Sequence, residues 1–320
     1  MKAIVIADKK LNWVDNEDPN CKDNEVIIKV KSTAVNRADL AQRAGLYPAP
    51  PGASEILGLE CSGIIQEIGR DVVNRKVGDE VVALLAGGGY AEYVSCPEVQ
   101  TLPLPKNINL SDGAAIPEVF ATCWLNLFME GNLKKGEKVL FHAGASGIGT
   151  AGIQLCNIFQ CESYITAGSE EKVEFCKDLG SSAGTVRLEN SFKSFKDLCP
   201  SGLDIILDPV GANYFEENLN NLAIDGRLII IGILGGVNGK INIGHLLMKR
   251  QKIIGSTIRS RSIEIKGKVM SALHENIWDH FEKKIIKPII YKKLPIREAD
   301  QAHKIMENNN NIGKIILEVF

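Results

Sequence analysis

The spacing of apolar residues changes near residue 136. Before it, EVIIKVKSTAV (25–35), CSGIIQEIG (61–69), DEVVALLA (79–86) and YAEYVSC (90–96) are short, partly alternating stretches between glycine-rich turns. That pattern predicts a β-rich region. GGG at 87–89 is a tight connection where positive φ costs little. After residue 136 the strands become continuous apolar runs: KVLFHAG (138–144), SYITAG (163–168), a short one near Thr185–Arg187, LDIILDPVG (203–211), GRLIIIGIL (226–234) and KIIGSTI (252–258). Runs without alternation are what parallel strands buried on both faces require. Helical stretches lie between them, one through Phe159 and one in EEKVEFCKDLG, ended by Gly180. Repeated βα units predict a doubly wound parallel sheet. The tail from IIKPII to KIILEVF predicts strand, helix, strand, with NNNN (308–311) as a loop.

Composition narrows the classes. With 320 residues, 45% hydrophobic and 24% charged, the chain has the make-up of a two-domain globular protein. A net charge of -2 gives no field that draws nucleic acid or membrane. The basic clusters KRQK (249–252) and RSR (259–261) are short and read as solvated strand ends. The five apolar residues Ala3 to Ala7 are too few for a signal peptide, and no run approaches the ~20 residues of a membrane span. The eight cysteines form no CxxC pair, which fits buried thiols in a reducing cytoplasm and neither disulfides nor a zinc knuckle.

The chemistry is most legible at GASGIG (144–149), a G-x-S-x-x-G string between a strand and a helix. Small residues let the backbone approach a pyrophosphate, and the helix start offers N–H groups to it. Ser146, Gly147, Ile148 and Gly149 are therefore assigned to a dinucleotide. An NAD site usually carries an acid at the end of the second strand, for the ribose 2′-hydroxyl. Here that place is Gly168-Ser169, with Lys172 in the first helical turn. A cation there is unfavourable against the helix dipole unless an anion lies nearby. A 2′-phosphate is such an anion, so the sequence predicts NADPH. Gly232, Ile233, Leu234, Ser256, Thr257 and Ile258 end the fifth and sixth strands, on the edge where a doubly wound sheet receives its ligand.

The stretches VNRADLAQRAGLYPAPPGAS (35–54), LGLECSGIIQEIG (57–69), KVGDEVVALLAGGGYAEYV (76–94), AAIPEVFATCW (114–124), HAGASGIGTAGIQL (142–155) and NIGKIILEV (311–319) carry a resemblance over nearly the whole chain. They resemble the medium-chain dehydrogenase/reductase superfamily, and within it the zinc-independent, ζ-crystallin-like quinone oxidoreductases, closest to the tumour-suppressor-inducible branch. The resemblance implies an α/β fold. A GroES-like catalytic domain would comprise residues 1–118 and a return segment 259–320, around a Rossmann domain at 119–258. Where zinc enzymes of the superfamily have a cysteine and the histidine of a G-H-E motif, this chain has Asn36 and Leu59, so the resemblance implies no metal. It implies NADPH-dependent reduction of quinones, with 2-alkenal or enone reduction, or a non-catalytic cofactor-binding role, as alternatives. Tyr47 and Asn36 match residues beside the acceptor, Tyr47 and Thr122 residues near the nicotinamide, and Arg187 the place of an adenine-stacking residue. A homodimer through the cofactor domain is also implied.

Overall fold

The computed structural model describes residues 1–7, 10–187 and 193–319. The chain forms two compact units, Met1–Ala121 with Ile258–Phe320, and Thr122–Thr257.

In the first unit, strand Glu25–Ala34 is the hub of an open sheet. It pairs antiparallel with Glu60–Ile68, Tyr93–Pro97 and Lys314–Glu318. Pairing with the last of these brings the chain's end beside its beginning. Strand Lys314–Glu318 also runs parallel to Ile290–Pro295. Lys2–Ala7 and Lys10–Asp15 form a separate hairpin. The inward faces bury Val26, Ile28, Val30, Cys61, Ile65, Val81 and Ala83. Helix Ile263–Glu282 is an element that the strand-centred reading of the sequence passes over. Ser262 caps it by accepting the Ile265 N–H, and Val269, Met270, Leu273, Ile277 and Phe281 form its buried stripe at helical spacing.

The second unit is a six-stranded sheet in which every pair is parallel. Counted in chain order its strands are Lys138–His142, Glu162–Ala167, Ala183–Val186, Leu203–Asp208, Leu222–Ile230 and Lys252–Gly255, arranged spatially 3-2-1-4-5-6. That is the dinucleotide-binding order, with the direction of winding reversing between the first and fourth strands. Leu140, Ile206 and Leu228 are buried on one sheet face with Leu219 and Phe195. Both faces are covered, which is why these strands read as unbroken apolar runs.

Candidate functional site

The turn after strand Lys138–His142 is shaped by glycine. A Cβ on Gly149 would lie 2.2 Å from the Gly144 carbonyl oxygen, and one on Gly144 would lie 2.4 Å from Ile165. One on Gly152 would lie 2.2 Å from the Phe141 ring. The first two hold the turn tight, and the third lets helix Gly147–Ile158 lie close on its strand. Ser146 caps that helix by accepting the Gly149 N–H at 3.1 Å, which leaves its hydroxyl hydrogen to donate. The first N–H groups of the helix have no carbonyl within it to bind. This cradle fits the pyrophosphate of a dinucleotide.

Gly168 follows the second strand, and a Cβ there would meet nothing within 4 Å. Ser169 caps the next helix by accepting the Lys172 N–H. Arg187 follows the third strand, exposed, with its N–H on the Ala167 carbonyl. Its charge reaches Tyr214 and counteracts the rise that burial imposes on that phenol. Tyr214 in turn packs on His142 with ring centroids 4.8 Å apart. Gly232 lies against Pro209, and the Leu234 N–H donates to the Pro209 carbonyl. Ile233 and Leu234 are exposed. Ser256 donates its N–H to Ile230, and its buried hydroxyl has no hydrogen-bond partner. Ser146–Gly149, Gly168, Ser169, Lys172, Arg187, Gly232–Leu234, Ser256 and Thr257 therefore all follow the carboxyl ends of strands in one sheet. Thr122 sits apart, buried in helix Pro117–Cys123. Ile258, Tyr47 and Asn36 belong to the first unit.

A polar chain lies beneath this edge. His142 bonds Thr166 through Nδ1 at 3.0 Å and Asn218 through Nε2 at 2.7 Å. Asn218 donates to Asp208, which also accepts the N–H groups of Val210 and Gly211. Burial lowers His142 to about 4 and raises Asp208 to about 6. His142 is thus a neutral structural group that ties strand ends together.

The first unit holds a buried cation. The Lys314 ammonium donates to Glu60 Oε1 at 2.7 Å, Asn36 Oδ1 at 2.6 Å and the Val35 carbonyl at 3.1 Å. Asn36 Nδ2 donates to Glu60 Oε1 and to the Ala34 carbonyl. The second Glu60 oxygen accepts the Glu118 N–H at 2.8 Å. Asn36 therefore gives its amide hydrogens to Glu60 and the Ala34 carbonyl. Zinc does not fit this donor set. Leu59 offers only buried hydrocarbon, both Glu60 oxygens are engaged, and among the described residues no three potential ligands cluster.

Tyr47 is half-buried in a loop, and the Arg259 guanidinium carbon stands 5.3 Å from its ring centroid. Here the reading of RSR as solvated needs correction. Arg259 is 3% exposed and bonds the Ala86 carbonyl and Gln42 Oε1, each at 2.7 Å. Charge in a short basic cluster looks solvated unless the acceptors are known, and these come from residues 42 and 86. Lys314 was also missed, although a lysine opening the apolar run KIIL is the sequence signal of a buried charge.

Family models match both units: one described as alcohol dehydrogenase GroES-like domain over residues 22–106, and one described as zinc-binding dehydrogenase over 147–275. A quinone oxidoreductase of Sus scrofa is 30% identical over 303 residues, covering 93% of this chain and 90% of that protein. Among solved structures, an NAD-dependent alcohol dehydrogenase superposes with TM-score 0.87 at 29% identity, over the whole of both chains. A mycobacterial protein complexed with NADPH superposes with TM-score 0.89 at 25% identity, over 99% of this chain and 100% of that one. Glycine cradle, strand order and these likenesses agree: the chain belongs to the medium-chain dehydrogenase/reductase superfamily of oxidoreductases, with a GroES-like domain and a nicotinamide-cofactor domain.

Proposed function

We propose that the protein is an NADPH-dependent, zinc-independent reductase of quinones, placed with the ζ-crystallin-like quinone oxidoreductases and their tumour-suppressor-inducible branch. The observation that carries this is the end of the second strand. Gly168 and Ser169 stand where an NAD site carries an acid, with Lys172 and Arg187 as the cations beside it. The mycobacterial NADPH complex and the Sus scrofa quinone oxidoreductase support the same reading. NADPH, when bound, supplies hydride. Ser146–Gly149 hold its pyrophosphate. Ser169, Lys172 and Arg187 hold the 2′-phosphate end. Gly232–Leu234 and Ser256–Ile258 border the nicotinamide, with Thr122 against its ring. Tyr47 is assigned to the acceptor, together with Asn36, which also holds Glu60. With no Lewis acid to stabilise an alkoxide, reduction of an electrophilic quinone is the easier chemistry.

A cytoplasmic homodimer completes the reading. Among the described residues, edge strand Lys252–Gly255 has one side unpaired, and Leu247, Met248 and Ile253 are exposed near it in sequence. All eight cysteines are free thiols, as a reducing compartment requires.

The test is cofactor oxidation by chelator-treated protein, with 1,2-naphthoquinone and an alkenal as rival acceptors and NADH as control. NADPH-specific quinone turnover is expected. Turnover of the alkenal alone moves the substrate class to enones, and loss of activity on chelation removes the metal-free reading.

A further inference from the structure

Arg259 is a buried cation without a carboxylate. No acid lies within ion-pair distance of it among the described residues. Its hydrogen bonds go to neutral oxygens: the Ala86 carbonyl, Gln42 Oε1 and, at 3.4 Å, the Tyr47 carbonyl. Gln42 is itself held by the Glu55 carbonyl at 2.8 Å. The guanidinium thus pins helix Arg37–Arg43, the Tyr47 loop and the turn after strand Glu80–Leu84 to one point. Because neutral acceptors do not cancel its charge, its field stays available to the Tyr47 ring it packs on. The Tyr47 hydroxyl takes no hydrogen bond among the described residues, so its hydrogen is available for a ligand.

We propose that Arg259 is the positioning residue for proton delivery by Tyr47: it fixes the ring and keeps a positive charge beside the phenol as the proton leaves. The inference rests on the reductase reading above. Two-electron hydride reduction leaves the acceptor's carbonyl oxygen as an anion. The Tyr47 O–H bond breaks, its proton passes to that oxygen, and water returns a proton to the phenolate. Three influences act on Tyr47. Burial raises the phenol above its ordinary value, the Arg259 cation lowers it, and the Glu118 carboxylate raises it. Arg259 is therefore the only one of the three that assists release. Burial lowers Arg259 below its ordinary value, and the charges of Asp39, Tyr47 and Glu55 work against that.

The experiment compares Arg259→Gln, which keeps donors and removes the charge, with Arg259→Lys, which keeps the charge. Arg259→Gln is expected to lower kcat for quinone about tenfold, with NADPH KM unchanged and a larger solvent deuterium isotope effect. Arg259→Lys retains most of kcat. On a Tyr47→Phe background the Gln substitution adds no further loss. Equal kcat for Gln and Lys, or an undiminished loss on the Tyr47→Phe background, overturns the proposal. Tyr47→Phe lies at a half-buried loop site and covers the case in which Arg259→Gln does not fold. Full kcat in that variant overturns the proposal as well. If the wild type reduces neither quinone nor enone, the reductase reading fails instead. The pair is then judged by tyrosinate absorbance, as the difference between proteins with and without Tyr47. Arg259→Gln must raise the Tyr47 midpoint, and an unmoved midpoint overturns the pairing.

Discussion

Each unit buries a polar network, and the two differ in charge. In Thr122–Thr257 the path Thr166–His142–Asn218–Asp208 contains no cation, and burial keeps His142 neutral. In the other unit Lys314 and Glu60 meet as ions, 3% and 0% exposed, with Asn36 between them. A network without a cation has only the Asp208 carboxyl to bury, which the Val210 and Gly211 N–H groups and Asn218 hold, and it serves to tie strand ends. A buried ion pair needs both partners, because either one alone is an unsolvated charge. In the cofactor unit Lys172 and Arg187 lie at the strand edge, while the GroES-like unit encloses Lys314 and Arg259.

The largest expected effect tests that difference directly. Lys314→Met strands the Glu60 carboxylate in the interior and is expected to cost about 3–5 kcal/mol of unfolding free energy, measured by urea denaturation. Asn218→Leu in the cation-free network leaves His142 and Asp208 short of one bond each, and is expected to cost about 1–3 kcal/mol. Pairing Lys314→Met with Glu60→Gln should recover much of the first loss, since an amide is cheaper to bury than a carboxylate. Equal costs for Lys314→Met and Asn218→Leu would erase the distinction between the two interiors.

The sequence shows these two interiors unequally. The parallel sheet was legible because continuous apolar runs, a glycine string and a capped helix all lie close together in the chain. The strand-edge residues followed from that order. The catalytic unit depends on pairings between distant segments: Lys314 with Glu60, and Arg259 with Gln42 and Ala86. No local pattern announces such partners. Asn36 shows the consequence. As a single residue it reads as a contact for the acceptor, but Lys314 and Glu60 turn its amide inward. Helix Ile263–Glu282 went unread for another reason: its stripe follows a strand-rich stretch and includes the buried lysine Lys266.

The next effect is a pH dependence that each unit contains twice over. Asp39 and Asp208 are raised by burial to about 6, and His303 and His142 are lowered by burial to about 4. A raised carboxyl favours the folded state when protonated, so its contribution is lost as pH rises through about 6. A lowered imidazole favours it when neutral, so its contribution is lost as pH falls from 6.5 through about 4. The two slopes oppose each other over the same window in both units. His142→Gln removes one of them. Relative to wild type, the variant should gain about 2–3 kcal/mol as pH falls from neutral to 4, whatever its fixed cost at neutral pH. His303→Gln should behave alike in the other unit. Stability differences independent of pH would mean that these imidazoles are not held neutral.

Lys172 gives the smallest effect on stability, because its side chain is partly exposed. Its N–H is held by Ser169, which directs the first helical turn toward the end of the second strand. A charge-assisted hydrogen bond to a 2′-phosphate contributes about 1.5–3 kcal/mol. Lys172→Ala should therefore weaken NADPH binding roughly 10- to 150-fold and leave NADH binding nearly unchanged, read by cofactor fluorescence titration. Stability should move far less than in Lys314→Met, since a partly exposed side chain leaves no buried charge behind. Its NADPH loss should shrink as salt rises, because a phosphate contact at the rim is screened where a buried pair is not. Equal weakening of both cofactors would detach Lys172 from the 2′-phosphate and return it to the helix surface.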